Sequence, residues 1–169
     1  MDSVLLSLIA EIQTELEEYG DKMETPTPAS RLAELREVTQ QRFDYALPAI
    51  YVAVLELHDG ISCNGIQLYA SQDKVQITPE GRSRYLFGGL VEANEQWREF
   101  EPNRDFVFFA ESGDRLYCHN LLNNRFEIVD RITKELDDPA DSLATCEQLL
   151  RVLFNHMLDR YDVEEEADA

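Results

Sequence analysis

Three histidines and three cysteines are the residues of this chain that could serve as nucleophile, base or metal ligand. Cys118 and His119 are adjacent in a segment with strand character, so their side chains should point to opposite sides of a sheet and cannot form a catalytic pair directly. His58 lies beside Asp59 at a predicted helix end, where a histidine also complements the helix dipole. His156 has no His or Glu at a metal-binding helical spacing. We therefore predict no catalytic residue, no cofactor and no metal site.

The spacing of the cysteines supports the same prediction. Cys63, Cys118 and Cys146 are separated by 55 and 28 residues, which fits neither a disulfide framework nor a zinc site. We expect reduced, partly buried thiols. The sequence also contains no GxGxxG, GxxxxGK[ST], HExxH or GxSxG segment, the motifs that bind nucleotides or metals or carry a nucleophilic serine. An enzyme would have to show turnover that is lost on changing His58, His119 or Cys118.

Acidic residues dominate the charge of the chain. It has 34 Asp and Glu against 15 Lys and Arg, a formal net charge of -19. This excess argues against binding to nucleic-acid phosphates or to an anionic membrane surface. It would speed the encounter with a cationic partner, but it also serves solubility, and composition leaves both explanations open. No signal-peptide pattern and no apolar run of membrane-spanning length is present, which predicts a cytoplasmic protein.

Apolar residues recur at helical spacing in five segments. Pro28 and Pro48 fit the first turn of a helix, where the missing proline N–H costs nothing, and Thr27 is predicted to cap the second helix. In the fourth helix, Trp97 and Phe100 are predicted to share the buried face. The predicted helices cover residues 3–19, 27–43, 48–58, 90–101 and a long segment from 142 onward.

Alternating or fully apolar runs predict four strands. They cover residues 66–69, 106–110, 115–120 and 125–130. The last three are joined by short connections rich in turn residues, which predicts an antiparallel meander. Residues 71–84 are polar and contain Pro79 and Gly81, so this segment is predicted to be an exposed loop.

These elements predict an α+β fold with an antiparallel sheet of about four to six strands flanked by helices. A chain of 169 residues fits one domain. We assign that domain to residues 1–161, with an N-terminal helix and a long C-terminal helix, and we interpret residues 162–169 as an acidic tail.

The order of the elements and four local segments resemble the SUKH superfamily and, within it, the YrhA-like branch. The segments are Leu47-Pro48, Asp59-Gly60, residues 92–97 and the run FFAESGDRLYCHN. The resemblance covers about residues 29–158. It implies an α+β domain and, for bacterial members, an immunity protein that binds and neutralises a polymorphic toxin, in many cases a nuclease. It brings no catalytic motif.

The resemblance implies that the partner is a protein toxin, and the acidic composition implies that this toxin is basic. The alternative is an interaction or scaffold protein of cellular regulation, as some eukaryotic relatives are thought to be. Exposed acids are the candidate partner-binding residues. The alternative is that they only form the solvent-exposed face of a helix. The first candidate patch is Glu92, Glu95, Glu99, Glu101 and Asp105. The second candidate patch is Asp114, Glu127 and Asp130.

Overall fold

The computed structural model describes residues 1–161, apart from the side chains at positions 84 and 85. The predicted acidic tail lies outside the described residues. Within residues 1–161, five α-helices, two short 3-10 helices and eight strands follow one another. The helices are α1 (Ser3–Glu18), α2 (Ala29–Phe43), α3 (Ala49–Leu57), α4 (Leu90–Trp97) and α5 (Cys146–Met157), and the 3-10 helices are Glu101–Asp105 and Pro139–Asp141.

Six strands form one antiparallel sheet in the order β1-β2-β5-β6-β7-β8, and β3 pairs with β4 in a separate hairpin. The predicted α+β fold with its flanking helices is therefore confirmed. The strands are β1 (Ile61–Cys63), β2 (Ile66–Leu68), β3 (Lys74–Ile77), β4 (Ser83–Phe87), β5 (Phe106–Glu111), β6 (Arg115–Asn120), β7 (Arg125–Asp130) and β8 (Ser142–Leu143). No helix of these 161 residues has the length and apolar character that a membrane crossing requires.

The core lies where the sheet meets the helices. Val107 to Ala110 of β5 are fully buried, as expected for a central strand covered on both faces. On the helical side, α5 contributes the largest number of buried side chains and packs on both α1 and α3. One hydrophobic cluster joins side chains from all five helices and from the six-stranded sheet. The predicted meander of β5, β6 and β7 is confirmed with its turns.

The strand predicted at 66–69 is confirmed as β2, the predicted loop at 71–84 is wrong, and in both places a short hairpin was missed. The strand predicted at 66–69 is only the second half of a hairpin whose turn is Asn64-Gly65, with both residues at positive φ. Such a turn matches the twist of the flanking strands. The predicted loop at 71–84 contains β3 and part of β4. The apolar residues of β3 do not face the core, since Val75 and Ile77 are 54% and 75% exposed. The segment therefore lacks the pattern of buried residues by which a strand is predicted.

Three predicted helix boundaries also need correction. Pro28, not Thr27, is the N-cap of α2, and the Thr27 hydroxyl is buried without a hydrogen-bond partner among the described residues. Helix α4 ends at Trp97, so Phe100 lies beyond it and is 66% exposed. Residues Ser142–Leu143 form β8, and α5 begins only after Thr145, whose side chain and that of Gln148 form a reciprocal capping box.

The β3–β4 hairpin is anchored to the rest of the molecule through Asp59, directly after α3. The Asp59 carboxylate accepts hydrogen bonds from the Ser71 N–H (2.7 Å) and hydroxyl (3.1 Å) and lies 3.0 Å from the Lys74 ammonium of β3. Burial opposes ionisation of Asp59, but the Ser71 bonds and Lys74 outweigh it and hold its pKa below the usual value. The ion pair therefore fixes the start of the hairpin beside the C-terminal end of α3.

Replacing Gly60 by alanine is expected to lower the free energy of unfolding by about 3 kcal/mol. Gly60 has a φ of +85°, and an added Cβ would press into the Phe87 ring and come within 2.9 Å of the Ala70 Cβ. Gly20→Ala is the matched control, because Gly20 also has positive φ but open space around it. That variant should lose about 1 kcal/mol. Urea unfolding of both variants measures the difference, and equal losses would show that crowding at Gly60 is unimportant.

Candidate functional site

Helix α4 carries two acids of the first candidate patch, Glu92 and Glu95, and its buried side faces β5. Leu90 and Asn94 are fully buried on that side. The Asn94 amide donates to the Leu90 and Phe108 carbonyls and accepts from the Phe108 N–H, each at 2.8 Å. Since these contacts fix the rotation of α4, Glu92 and Glu95 on its other side are exposed.

The structure places the five acids of the first candidate patch along one continuous segment, residues 92–105. Glu95 forms a salt bridge with Arg42 of α2. Glu99 and Glu101 follow the helix and are exposed, and Asp105 is half-buried at the end of the 3-10 helix. Apart from Glu95, none of these carboxylates has an ion-pair or hydrogen-bond partner among the groups that the structure describes. The four acids without such a partner are Glu92, Glu99, Glu101 and Asp105.

Two arginines also occur in this segment, and one of them turns inward. The Arg98 guanidinium lies 4.8 Å from the centre of the Phe43 ring and donates to the Phe106 carbonyl at 3.2 Å. Arg104 is exposed, with its Nε 3.2 Å from the Arg98 carbonyl. Carboxylates therefore outnumber cations on the exposed side of this segment.

The second candidate patch does not form one surface. Glu127 is only 4% exposed, and its carboxylate accepts hydrogen bonds from the Asn120 and Asn123 side chains at 3.0 and 2.7 Å. Because residues three apart on a strand point to opposite faces, Glu127 and Asp130 point away from each other. Including Glu127 in an exposed patch was wrong for this reason.

Asp114 and Asp130 do lie on neighbouring turns, since the Arg131 N–H donates to the Asp114 carbonyl at 2.9 Å. The Asp130 carboxylate accepts from the N–H groups of Thr133 and Ile132, both at 2.8 Å. These two bonds lower the pKa of Asp130. Asp130 thus closes the turn that follows β7, while Asp114 stays exposed.

A cavity of about 450 Å³ opens beside Trp97 on one side of α4, and we call it the Trp97 cavity. It lies within the range of about 300–1,000 Å³ that is common for binding pockets. It brings together side chains from five separate segments of the chain. Its lining residues are Tyr69, Asp73, Glu92, Ala93, Gln96, Trp97, Glu111 and Arg131.

The walls of the Trp97 cavity combine aromatic rings with charged groups. The Trp97 indole N–H donates to the Tyr69 hydroxyl at 3.1 Å. The Arg131 guanidinium lies 4.9 Å from the centre of the Trp97 ring and donates to Glu111 (3.1 Å) and to the Ser112 carbonyl (2.7 Å). Burial, and next to it the Glu111 carboxylate, raise the pKa of Tyr69. Tyr69 therefore stays a neutral phenol at physiological pH.

Two carboxylates lie close to Gly89 at the N-terminus of α4. Asp73 accepts a hydrogen bond from the N–H of Gly89, the N-cap residue, at 2.8 Å. Glu92 folds back over the same residue, because a Cβ added to Gly89 would collide with its carboxylate. Both acids line the Trp97 cavity, and only Glu92 was among the predicted site residues.

The side chains of His58 and His119 are hydrogen-bonded to other parts of the fold, and the cysteines are buried. Tyr45 and Asn124 hydrogen-bond the two ring nitrogens of His119 at 2.8 and 2.9 Å, and the Glu24 carbonyl lies 2.8 Å from His58 Nδ1. All three cysteines are free and buried, and burial raises the pKa of Cys63 to about 11. Within residues 1–161, no three His, Cys, Asp or Glu side chains are grouped so that they could hold a metal ion.

His156 gives a testable pH dependence. It lies buried in the last turn of α5, 2.8 Å from the Tyr117 hydroxyl and stacked on Tyr161, and burial together with the Arg115 charge lowers its pKa to about 4. A folded-state pKa below the unfolded value means that the unfolded chain binds the proton first. Stability should therefore fall by about 2 kcal/mol between pH 7 and pH 5 on account of this residue. Urea unfolding of His156→Gln should show a shallower pH slope over that range; an unchanged slope would contradict the assignment.

No protein-family model and no curated protein matches this chain.

Proposed function

We propose that this protein is a bacterial immunity protein that binds a cognate polymorphic toxin in the cytoplasm and neutralises it by occlusion, without turnover. The observation that carries the proposal is the segment 92–105 beside the Trp97 cavity, where Glu92, Glu99 and Glu101 are exposed and have no ionic partner among the described side chains. Such a surface favours a positively charged partner. The resemblance of the sequence to the SUKH superfamily is the reason for proposing a polymorphic toxin as that partner.

A basic nuclease is the toxin that this surface would suit best. The substrate cleft of a nuclease must be cationic to hold phosphates, and carboxylates can occupy such a cleft in their place. The net charge of -19 would speed the encounter, and buried contacts would set how long the complex lasts. The half-buried Trp97 ring of the cavity and the 66% exposed Phe100 ring, which lies between Glu99 and Glu101 in the sequence, could provide such contacts.

The experiment that tests the proposal is capture followed by protection. The tagged protein is used to isolate partners from its own organism, and each basic protein that is retained is expressed in a host with and without this chain. We expect one retained protein to be toxic alone and harmless when both are expressed. If no retained protein is toxic, or if toxicity persists during co-expression, the proposal is wrong. A harmless regulatory protein recovered instead would favour the scaffold alternative.

A further inference from the structure

We propose that the Trp97 cavity receives one arginine side chain of the partner protein, with the guanidinium held between the carboxylates of Asp73 and Glu92. This inference rests on the proposed function and names the contact through which the basic partner is recognised. Three properties of the cavity support it: the types of its wall residues, the arrangement of its charges, and a guanidinium of the chain itself that already lies against the same tryptophan.

The wall residues are those that dominate protein–protein binding energies. Trp, Tyr and Arg are enriched among the residues that cost most when truncated at interfaces, and they cluster in well-packed pockets. Trp97, Tyr69 and Arg131 meet in this cavity, and because Tyr69 is only 1% exposed, Trp97 and Arg131 are the two that a partner side chain could reach. Trp97 is only half-buried, so part of its ring is accessible from the cavity. A fully buried core tryptophan would offer no such surface.

The charges in the cavity leave two carboxylates without a cation among the described residues. Glu111 is paired with Arg131 at 3.1 Å, so their charges offset each other. Asp73 and Glu92 flank Gly89 and take part in no salt bridge among the side chains that the structure describes. The N-terminal dipole of α4 amounts to about half a positive charge and offsets only part of the two negative charges. The Lys134 ammonium, 5.1 Å from the centre of the Trp97 ring, offsets a further charge, so a cation that enters here would meet only a small net negative charge.

Arg131 shows what geometry this environment accepts. Its guanidinium lies over the Trp97 ring at 4.9 Å while it binds the Glu111 carboxylate. A cation over an aromatic face and beside a carboxylate is favourable, and more so when partly desolvated. Arginine suits this position better than lysine, because its planar guanidinium can stack and can donate to two carboxylates at once.

The test uses the intact protein and two small probes that differ in charge. N-acetyl-arginine amide carries the guanidinium, and N-acetyl-citrulline amide is its neutral isostere. Binding is followed by amide NMR at the Gly89 N–H and at the indole N–H of Trp97, the only tryptophan of the chain. We expect saturable shifts at both groups with the arginine probe and binding of the citrulline probe at least about tenfold weaker.

Two double variants distinguish the effect of the cavity carboxylates on binding from the effect of the net charge. Asp73→Asn with Glu92→Gln keeps an acceptor oxygen for Gly89 and should weaken the arginine probe about tenfold. Glu18→Gln with Glu56→Gln removes the same charge from exposed positions outside the cavity and should change affinity less than about twofold. Absence of saturable shifts, equal binding of both probes, or equal effects of the two double variants would overturn the inference.

The two proposals can fail separately. If a toxic partner is captured and binds the Asp73→Asn, Glu92→Gln variant as tightly as the natural chain, the inference about the cavity is wrong and the proposed function stands. If the arginine probe binds as expected but no partner is neutralised, the proposed function is wrong and the cavity is a guanidinium site with another role.

Discussion

Replacing Asn94 by alanine is expected to remove about 3 kcal/mol from the free energy of unfolding. The fully buried Asn94 amide donates to the Phe108 carbonyl and accepts from the Phe108 N–H. The last backbone bond from the β2 side to β5 is donated by the Tyr69 N–H to the Phe109 carbonyl. The Asn94 amide bonds the next residue of β5, Phe108, and so takes the place of a neighbouring strand. Alanine would leave both Phe108 backbone groups buried without partners, and each such group costs about 1–3 kcal/mol.

Asn155→Ala is the matched control for this prediction. Asn155 also lies on a helix and donates to a backbone carbonyl, that of Arg151 at 3.0 Å, but it is only partly buried. Its loss should cost about 1 kcal/mol or less. Asn94→Asp should be at least as damaging as Asn94→Ala, because a carboxylate would face the Leu90 and Phe108 carbonyls. Urea unfolding measures all three; a loss of less than about 1 kcal/mol for Asn94→Ala would show that Asn94 does not fix α4 to the sheet.

Reversing the charge of Glu99 and Glu101 is expected to slow association with the basic toxin by about tenfold to a hundredfold at low salt. Both side chains are exposed and have no ionic partner among the described side chains, so lysine at these positions should leave the fold intact. Neither residue lines the Trp97 cavity, so this change tests the acidic surface apart from the cavity. Stopped-flow mixing with the captured toxin measures the association rate.

Glu18→Lys with Glu56→Lys is the control, since it changes the net charge equally at exposed positions elsewhere on the chain. It should slow association much less, and the difference between the two double variants should shrink as salt rises, because exposed charges are then screened. If both pairs slow association equally, net charge alone governs the encounter, and the segment 92–105 has no special part in it.

The parts of the fold that were predicted correctly carry strong local patterns. The strands β5 to β7 combine apolar runs with turn residues at short spacing, and α1 has an uninterrupted apolar stripe. The missed strands β1, β3 and β4 have three to five residues, too short for a period to show, and β2 was predicted without its partner. The Asn64-Gly65 turn was nevertheless a usable signal, since this dipeptide between apolar residues predicts a hairpin.

The candidate site was predictable only along a single segment. Glu92, Glu95 and Glu99 follow helical spacing, and so they could be grouped from the sequence. The Trp97 cavity could not be anticipated, because Tyr69, Asp73, Glu111 and Arg131 come from separate segments and carry no shared motif. Glu127 misled the prediction because its burial depends on two asparagines that hydrogen-bond its carboxylate.

The most direct test of the central claim is a titration of the captured toxin's activity with this protein. Binding by occlusion predicts that activity falls linearly and reaches zero at one equivalent of protein, with no change in the covalent structure of the toxin. Abolition of the activity by a small fraction of an equivalent would mean that this protein modifies the toxin catalytically. Undiminished activity at several equivalents would mean that the two proteins do not form an inhibitory complex, and either result would contradict the account.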